Sequence, residues 1–297
     1  MTGQEFIELQ KNMGIDVINT KTMSWVHMQN KYAVASPSVE YSYPINEDIK
    51  EILSNKNIWF AIFVSEHTTP NTAEYLFEGD DYSIEKFHSK IRNQIRKSLK
   101  SCTIKKPTKD DLVKYGFEIN NEILGMHQRS VDYLIKLDKW KKYIDALYDA
   151  RDVYVYAAYV DEEFAAYVFF IKVNDKYYIY HPFATRRFSK QAPMNGLLYT
   201  AINDFIEKDK HVTVTYGLAS FFTMSGLDKF KKGMLFTEKK MSRVTVLDDK
   251  ISFFFNKPIH YLFKKLTFIP IIDSLYEKYN ILYESSRLYQ DYKRNNK

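Results

Sequence analysis

Val153-Tyr154-Val155-Tyr156-Ala157-Ala158-Tyr159 is β-branched and aromatic, and it runs into Asp161-Glu162-Glu163, which has the polarity of a hairpin tip. A second apolar run, Phe164 to Val173, follows at once. Asn174-Asp175 then makes a turn, and Lys176 to Phe183 forms a third aromatic strand ending at Tyr180-His181-Pro182. A three-stranded antiparallel meander is therefore predicted. The connection from Ala184 to Gly196 is basic, polar and rich in turn formers, and it leads into a helix with Leu197, Leu198, Ala201, Ile202 and Phe205 at helical spacing. A loop meeting a helix N-terminus offers unpaired backbone N–H groups and the positive end of a helix dipole, which suit phosphate or the oxygens of a carrier group. Next, Val212-Thr213-Val214-Thr215-Tyr216 alternates like a strand and stops at Gly217-Leu218. Ser225 to Gly233 reads as a short basic helix, and Lys239 to Leu247 as a closing strand.

The upstream flank extends the same unit. Thr103 to Pro107 is a strand, Thr108 caps a helix that continues to about Gln128 with Leu112, Ile119 and Ile123 inward, and Trp140, Ile144 and Leu147 mark another helix. The order from about Cys102 to Leu247 is β, α, α, β, β, β, α, β, α, β, an α+β class with a mixed central sheet. Before it, a helix over Asn46 to Leu53, a buried strand over Ile58 to Val64 and a strand at Tyr75-Leu76-Phe77 are the legible elements, and no internal repeat stands out.

That order resembles the acyl-transfer core of the GNAT superfamily. Two local patterns narrow the resemblance to its Fem-type branch, whose members move aminoacyl or acyl groups onto amines of cell-envelope precursors. Ile91-Arg92-Asn93-Gln94-Ile95-Arg96-Lys97-Ser98-Leu99-Lys100 is similar to the basic "R-x-x-I-R-K-A-x-K" helix of those proteins, and Gly226-Leu227-Asp228-Lys229-Phe230-Lys231-Lys232-Gly233 to their "G-L-x-x-F-K-x-G" segment. The resemblance implies three parts. They are a partial or degenerate GNAT-like N-terminal domain over 1–101 ending in the basic helix, a GNAT-like core over 102–248 and an amphipathic basic helical tail over 249–297. One departure concerns the donor. The Arg187 to Gly196 stretch has one glycine and includes Pro193, where acetyl-CoA-dependent members carry "Q/R-x-x-G-x-G/A", and a proline has no amide hydrogen to donate. The resemblance thus leaves acyl-CoA and aminoacyl-tRNA both open as donors, with Arg187, Gln191, Asn195 and Gly196 as the donor-binding positions.

Acyl transfer to an amine needs a neutral nucleophile, stabilisation of the carbonyl oxyanion and a route for the leaving-group proton. Lys231, in the family-like "F-K" position beside Phe230, is the candidate for the electrostatic role; the competing reading is an exposed helix lysine. His181, at a strand end, has an ordinary pKa near neutrality and suits a proton relay, although a lone histidine is more often structural. Tyr180 and Tyr216 stand at strand ends facing the presumed cleft, among 24 tyrosines in the chain. Arg92 and Arg96 are the substrate-binding candidates, because a guanidinium makes planar, bidentate phosphate contacts and the helix from Ile84 to Lys100 sets a basic face against the stripe Ile84, Phe87, Ile91, Ile95 and Leu99. Their ligand would be a diphosphate, a tRNA backbone or an anionic lipid head group; a merely solvated basic face is the plain alternative.

Composition fits this picture and removes others. The 297 residues carry a formal net charge of +6 and one cysteine, so an intrachain disulfide is impossible and a zinc site would have to rely on histidine and carboxylate; no metal is expected. No G-x-S-x-G, Walker, Rossmann or H-E-x-x-H pattern occurs, which argues against serine-nucleophile hydrolysis, nucleotide hydrolysis, hydride transfer and zinc proteolysis. The N-terminus lacks a basic start followed by an apolar run, so a cytoplasmic location is expected, with the inner membrane face as a further option. From Ile251 to Ile272, phenylalanines, isoleucines and leucines surround Lys257, Lys264 and Lys265, with Pro258 and Pro270 interrupting. Such a segment does not span a membrane; it either packs on the core or a second subunit, or lies among lipid headgroups. The expected acceptor is a small-molecule or lipid-linked amine. The alternative is a non-catalytic module binding an anionic ligand, RNA or a membrane surface.

Overall fold

In a computed structural model describing residues 1–28, 31–127, 129–220 and 225–295, eleven strands are formed among the described residues. They are β1 Val17–Asn19, β2 Ser24–Met28, β3 Tyr32–Ala35, β4 Phe60–Ser65, β5 Thr72–Gly79, β6 Thr103–Lys105, β7 Val153–Val160, β8 Glu163–Val173, β9 Lys176–Ala184, β10 Val212–Leu218 and β11 Thr237–Leu247. The fold is the mixed α+β class that the sequence predicts. The chain divides into two units, one of Met1–Ile15, Tyr75–Gly217 and Leu227–Thr237, the other of Asp16–Glu74, Leu218–Gly226 and Glu238–Lys297.

In the first unit the strand order is β5-β10-β9-β8-β7-β6. β6 to β9 are antiparallel neighbours, and β10 runs parallel to β9. The predicted meander is present, and its middle strand is buried on both faces, with Ala165 to Ile171 fully enclosed. Alternation along β8 sends successive rings to opposite helix layers. Phe169 meets Trp140 and Tyr143 of helix Leu137–Tyr148, whereas Phe170 meets Phe205 of helix Pro193–Asp209, at 5.0 Å between centroids. Leu197, Leu198, Ala201, Ile202 and Phe205 are all buried as the spacing predicts, although this helix begins at Pro193 rather than at Leu197, since Pro at the first helical position forgoes no needed N–H. The helix after Thr108 is capped as expected, includes a π-helical turn over Leu112–Gly116 and ends at Met126; Gln128 lies outside the described residues. Leu124, and not Ile123, is the buried residue of its last turn.

The second unit has the order β1-β2-β3-β4-β11. β1 to β3 form an antiparallel meander, helix Asn46–Ser54 crosses over, and β4 returns parallel to β3. This repeats the plan of β7 to β10 with its helix Pro193–Asp209. The C-terminal helix Pro270–Asn295 belongs to this unit, where Tyr292 packs edge-on to Phe63 and donates its hydroxyl hydrogen to the Pro44 carbonyl.

Both units are built from stretches that interleave along the chain. Helix Gly3–Asn12 joins the first unit because Phe6 stacks on Tyr178, and the basic helix joins it through Ile91 and Ile95. That helix starts at Ser89; Ile84–Lys86 is a separate turn, and Leu99 is 43% exposed while Ser98 is buried in its place. Among the described residues no helix is long and apolar enough to cross a membrane.

Candidate active site

β9 and β10 are paired only over Thr213↔Lys176, Val214↔Tyr177 and Thr215↔Tyr178, and then both strands continue unpaired with each other. Each departs for a local reason. In β9 the register against β8 slips between Tyr167↔Phe183 and Phe169↔Tyr180, which makes His181-Pro182 a bulge, with His181 in the left-handed region at φ 49°. A bulge bends its strand, and proline within a sheet is confined to such places. In β10, Gly217 takes φ 85°, and its N–H turns back to the Thr215 hydroxyl at 3.1 Å. The result is a gap in the pairing of two neighbouring strands in the middle of the sheet.

Tyr216 is the first β10 residue beyond the last paired position, and Lys231 lies against it. Lys231 is 2% exposed on helix Ser225–Gly233. Its ammonium stands 4.4 Å from the ring centre of Tyr75 and 5.0 Å from that of Tyr216. Phe230 and Phe236 complete the aromatic surround of Tyr216. Burial pushes the Lys231 pKa down, with Asp228 opposing weakly. Burial pushes the Tyr216 phenol up, so it stays protonated. Among the described residues no carboxylate forms an ion pair with Lys231. A cation in contact with ring faces, and acted on by the Asp228 carboxylate without a direct ion pair, keeps hydrogen-bonding capacity for an incoming oxygen. The exposed-lysine alternative does not describe this residue.

A second cluster lies where β9 bends away. His181 is half-buried, with its Nε2 2.7 Å from the Tyr143 hydroxyl and its ring among Tyr133, Tyr180 and Phe183. Burial pulls its pKa down to about 4, so the imidazole is neutral at physiological pH. If Nε2 accepts the phenol proton, Nδ1 carries the ring's own hydrogen. Burial also raises the Tyr180 phenol. The structure brings Lys231, Tyr216 and Phe230 together as one group, and His181 and Tyr180 as another.

The connection between β9 and helix Pro193–Asp209 is a turn of 3-10 helix, Arg186–Gln191. Its groups are largely engaged by the protein's own carboxylates. Arg187 makes a two-point ion pair with Glu163, one contact at 2.7 Å, and the Arg186 N–H donates to Glu122 at 2.9 Å. Gln191 keeps a buried Oε1 without a hydrogen-bond partner among the described residues. Asn195 is buried, its amide against the Met234 sulfur at 3.5 Å. Gly196 sits against the basic helix, where a Cβ would come within 2.3 Å of the Ser98 hydroxyl. Gly233 likewise abuts Ile91, at 3.0 Å from where its Cβ would be. The two sequence motifs are thus packed on one another. Arg92 is half-buried and Arg96 exposed on the outer side of that helix, and neither has an ion-pair partner among the described residues.

Residues 86–231 match the model of an acetyltransferase (GNAT) domain. That stretch is similar to a GNAT domain. Among solved structures, the fold is similar to that of FemX, at a TM-score of 0.55 and 11% identity, covering 84% of this chain and 92% of the other. It is also similar to the C-terminal domain assigned to a lysylphosphatidylglycerol synthetase from Agrobacterium fabrum, at a TM-score of 0.52 and 10% identity, covering 84% and 93%. A third similar fold is that of L-PGS from Bacillus licheniformis, at a TM-score of 0.50 and 10% identity, covering 84% and 89%. No curated protein sequence matches. The fold is thus similar to that of FemX over most of the chain, and the gap between β9 and β10 falls inside the stretch that matches the acetyltransferase model. Tyr75 and Tyr143 are the site residues that the sequence did not single out. Tyr75 reaches Lys231 from a distant strand, and Tyr143 shares the buried face of Trp140 and Ile144, so only its hydroxyl distinguishes it.

Proposed function

We propose that the GNAT-like domain transfers an aminoacyl or acyl group to an amine of a cell-envelope or polysaccharide precursor, with the activated carbonyl lying in the gap between β9 and β10. The observation that carries this reading is Lys231. A cation costs free energy to bury, and here it is buried beside the gap with no direct ion pair among the described residues, where it can offset the charge of a tetrahedral oxyanion. In the step, the neutral amine forms the new C–N bond, the C–O or C–S bond to the donor breaks, and the amine proton passes to the leaving oxygen or sulfur. Tyr216, protonated and in contact with Lys231, is the proposed relay: its phenol proton goes to the leaving atom and the amine proton restores the phenol. His181 is too weak a base to take a proton from an ammonium, and its proposed part is to orient the acceptor through Nδ1.

Two features of the loop favour an aminoacyl ester of tRNA over an acyl-CoA. The Arg187 guanidinium and the Arg186 N–H are held by Glu163 and Glu122, and Pro193 has no N–H to give a pyrophosphate. Arg92 and Arg96 offer guanidinium groups to a phosphate backbone. Native mass spectrometry of the protein with acetyl-CoA, longer acyl-CoAs and charged tRNA tests the choice. Retention of charged tRNA, lost on substituting Arg92 and Arg96, is expected; retention of an acyl-CoA alone would reverse the donor assignment. Retention of a ligand without turnover of any donor would favour a binding module instead.

A further inference from the structure

From Lys250 to Ile272 the sequence holds Lys250, Lys257, Lys264 and Lys265 and no aspartate or glutamate. The same segment leaves its large apolar side chains in the open. Phe268 is 77% exposed, Phe253 and Tyr261 58%, Leu262 55% and Phe254 50%. These are not side chains awaiting a place in the core of their own unit. Helix Lys257–Lys265 already has an inner face, where His260 stacks on Tyr283 at 4.2 Å and Phe263 on Tyr279 at 5.0 Å. The exposed rings belong to its outer face and to the turns on either side, and Lys257, Lys264 and Lys265 are exposed among them.

We infer that this face of the second unit docks on the surface of an anionic phospholipid bilayer. Aromatic and aliphatic side chains seat at the headgroup boundary, and the lysines meet lipid phosphates. Charge selects this occupant: a purely apolar partner surface would leave the lysines desolvated and unpaired, whereas an anionic headgroup layer answers both features at once. Lysines and exposed rings act together, because either signal alone gives only marginal attachment. The inference deepens the proposed function by placing the domain where a lipid-linked amine is presented, but it does not depend on catalysis.

Sedimentation of the full chain with vesicles, in the absence of any donor or acceptor, tests it. The protein is expected to pellet with phosphatidylglycerol vesicles and not with phosphatidylcholine vesicles, and to be released by high salt. Lys264→Glu with Lys265→Glu should weaken binding by at least about tenfold, and Phe253→Ser with Phe268→Ser by a similar factor, both without changing the melting temperature, since these side chains are exposed. A wild-type protein that stays in the supernatant with phosphatidylglycerol overturns the inference. So does a dimer in size-exclusion chromatography that Phe268→Ser dissociates, which would assign the face to a second copy. Failure here with intact transfer activity would leave the acyl-transfer reading standing, and vesicle binding without transfer would do the reverse.

Discussion

Lys231 lies against two phenol rings, with Asp228 near but in no direct ion pair with it, and that arrangement has an energetic signature. Because burial lowers its pKa, the folded state binds this proton less tightly than the unfolded chain, so the charge destabilises the fold, and the penalty is relieved only as pH rises toward 10.5. Lys231→Met removes the charge at similar volume. It is expected to raise stability by about 1–3 kcal/mol while abolishing transfer, the trade expected of a strained functional group; a melting temperature below wild type would mark the lysine as structural. His181 follows the same sign in a lower pH window. Its folded pKa of about 4 lies below the ordinary 6.5, so its contribution to stability is full above pH 6.5 and is lost as pH falls toward 4. His181→Gln should therefore flatten the decline in stability between those limits in urea titrations at successive pH values, leaving neutral-pH stability little changed. Lys231 was legible in the sequence through its neighbours Phe230 and Gly233. Its partner Tyr75 was not, since nothing local marks which of many tyrosines a distant strand will bring to it.

The gap between β9 and β10 is written into both strands. Tyr180-His181-Pro182 marks one departure and Gly217 the other, and both stood out in the sequence as strand ends. Helix Ser89–Ser101 was harder to read, because hydrophobicity ranks Leu99 above Ser98 for burial. What decides the matter is backbone proximity: Gly196 approaches so closely that only a small side chain fits opposite. Gly196→Ala would place a methyl carbon within 2.8 Å of the Ser98 Cβ as well as against its hydroxyl. It should cost about 1–3 kcal/mol, and adding Ser98→Gly should recover part of that loss; equal stability of Gly196→Ala and wild type in chemical denaturation would refute the close packing.

At the scale of the whole molecule, the second unit repeats the meander, crossover helix and parallel strand of the first, yet no repeat is visible in the residues. Strand pairing preserves order and direction with almost any β-compatible sequence, and only the core pattern has to agree. The second copy lacks the gap. Past the end of β3, Tyr41 bridges to Val64, and the Ser42 N–H donates to the Val64 carbonyl at 2.8 Å, so the corresponding edge of β4 is covered. Its core also relies on the end of the chain: Tyr292 is 5% exposed within a cluster that includes Trp25, Ile52, Phe63 and Val244. Tyr292→Ala should destabilise this unit by roughly 3 kcal/mol, seen as an earlier unfolding transition by calorimetry. The sequence placed the tail helix but gave no hint of this attachment, because one buried tyrosine in a polar helix looks like any other.

The central claim is that an activated carbonyl reacts beside the buried ammonium of Lys231. Single-turnover transfer from a retained donor to an amine, compared between wild type and Lys231→Met, tests it most directly. A loss of about 100-fold or more in the rate of transfer, with donor retention unchanged, is the predicted result; transfer by Lys231→Met at the wild-type rate would contradict it.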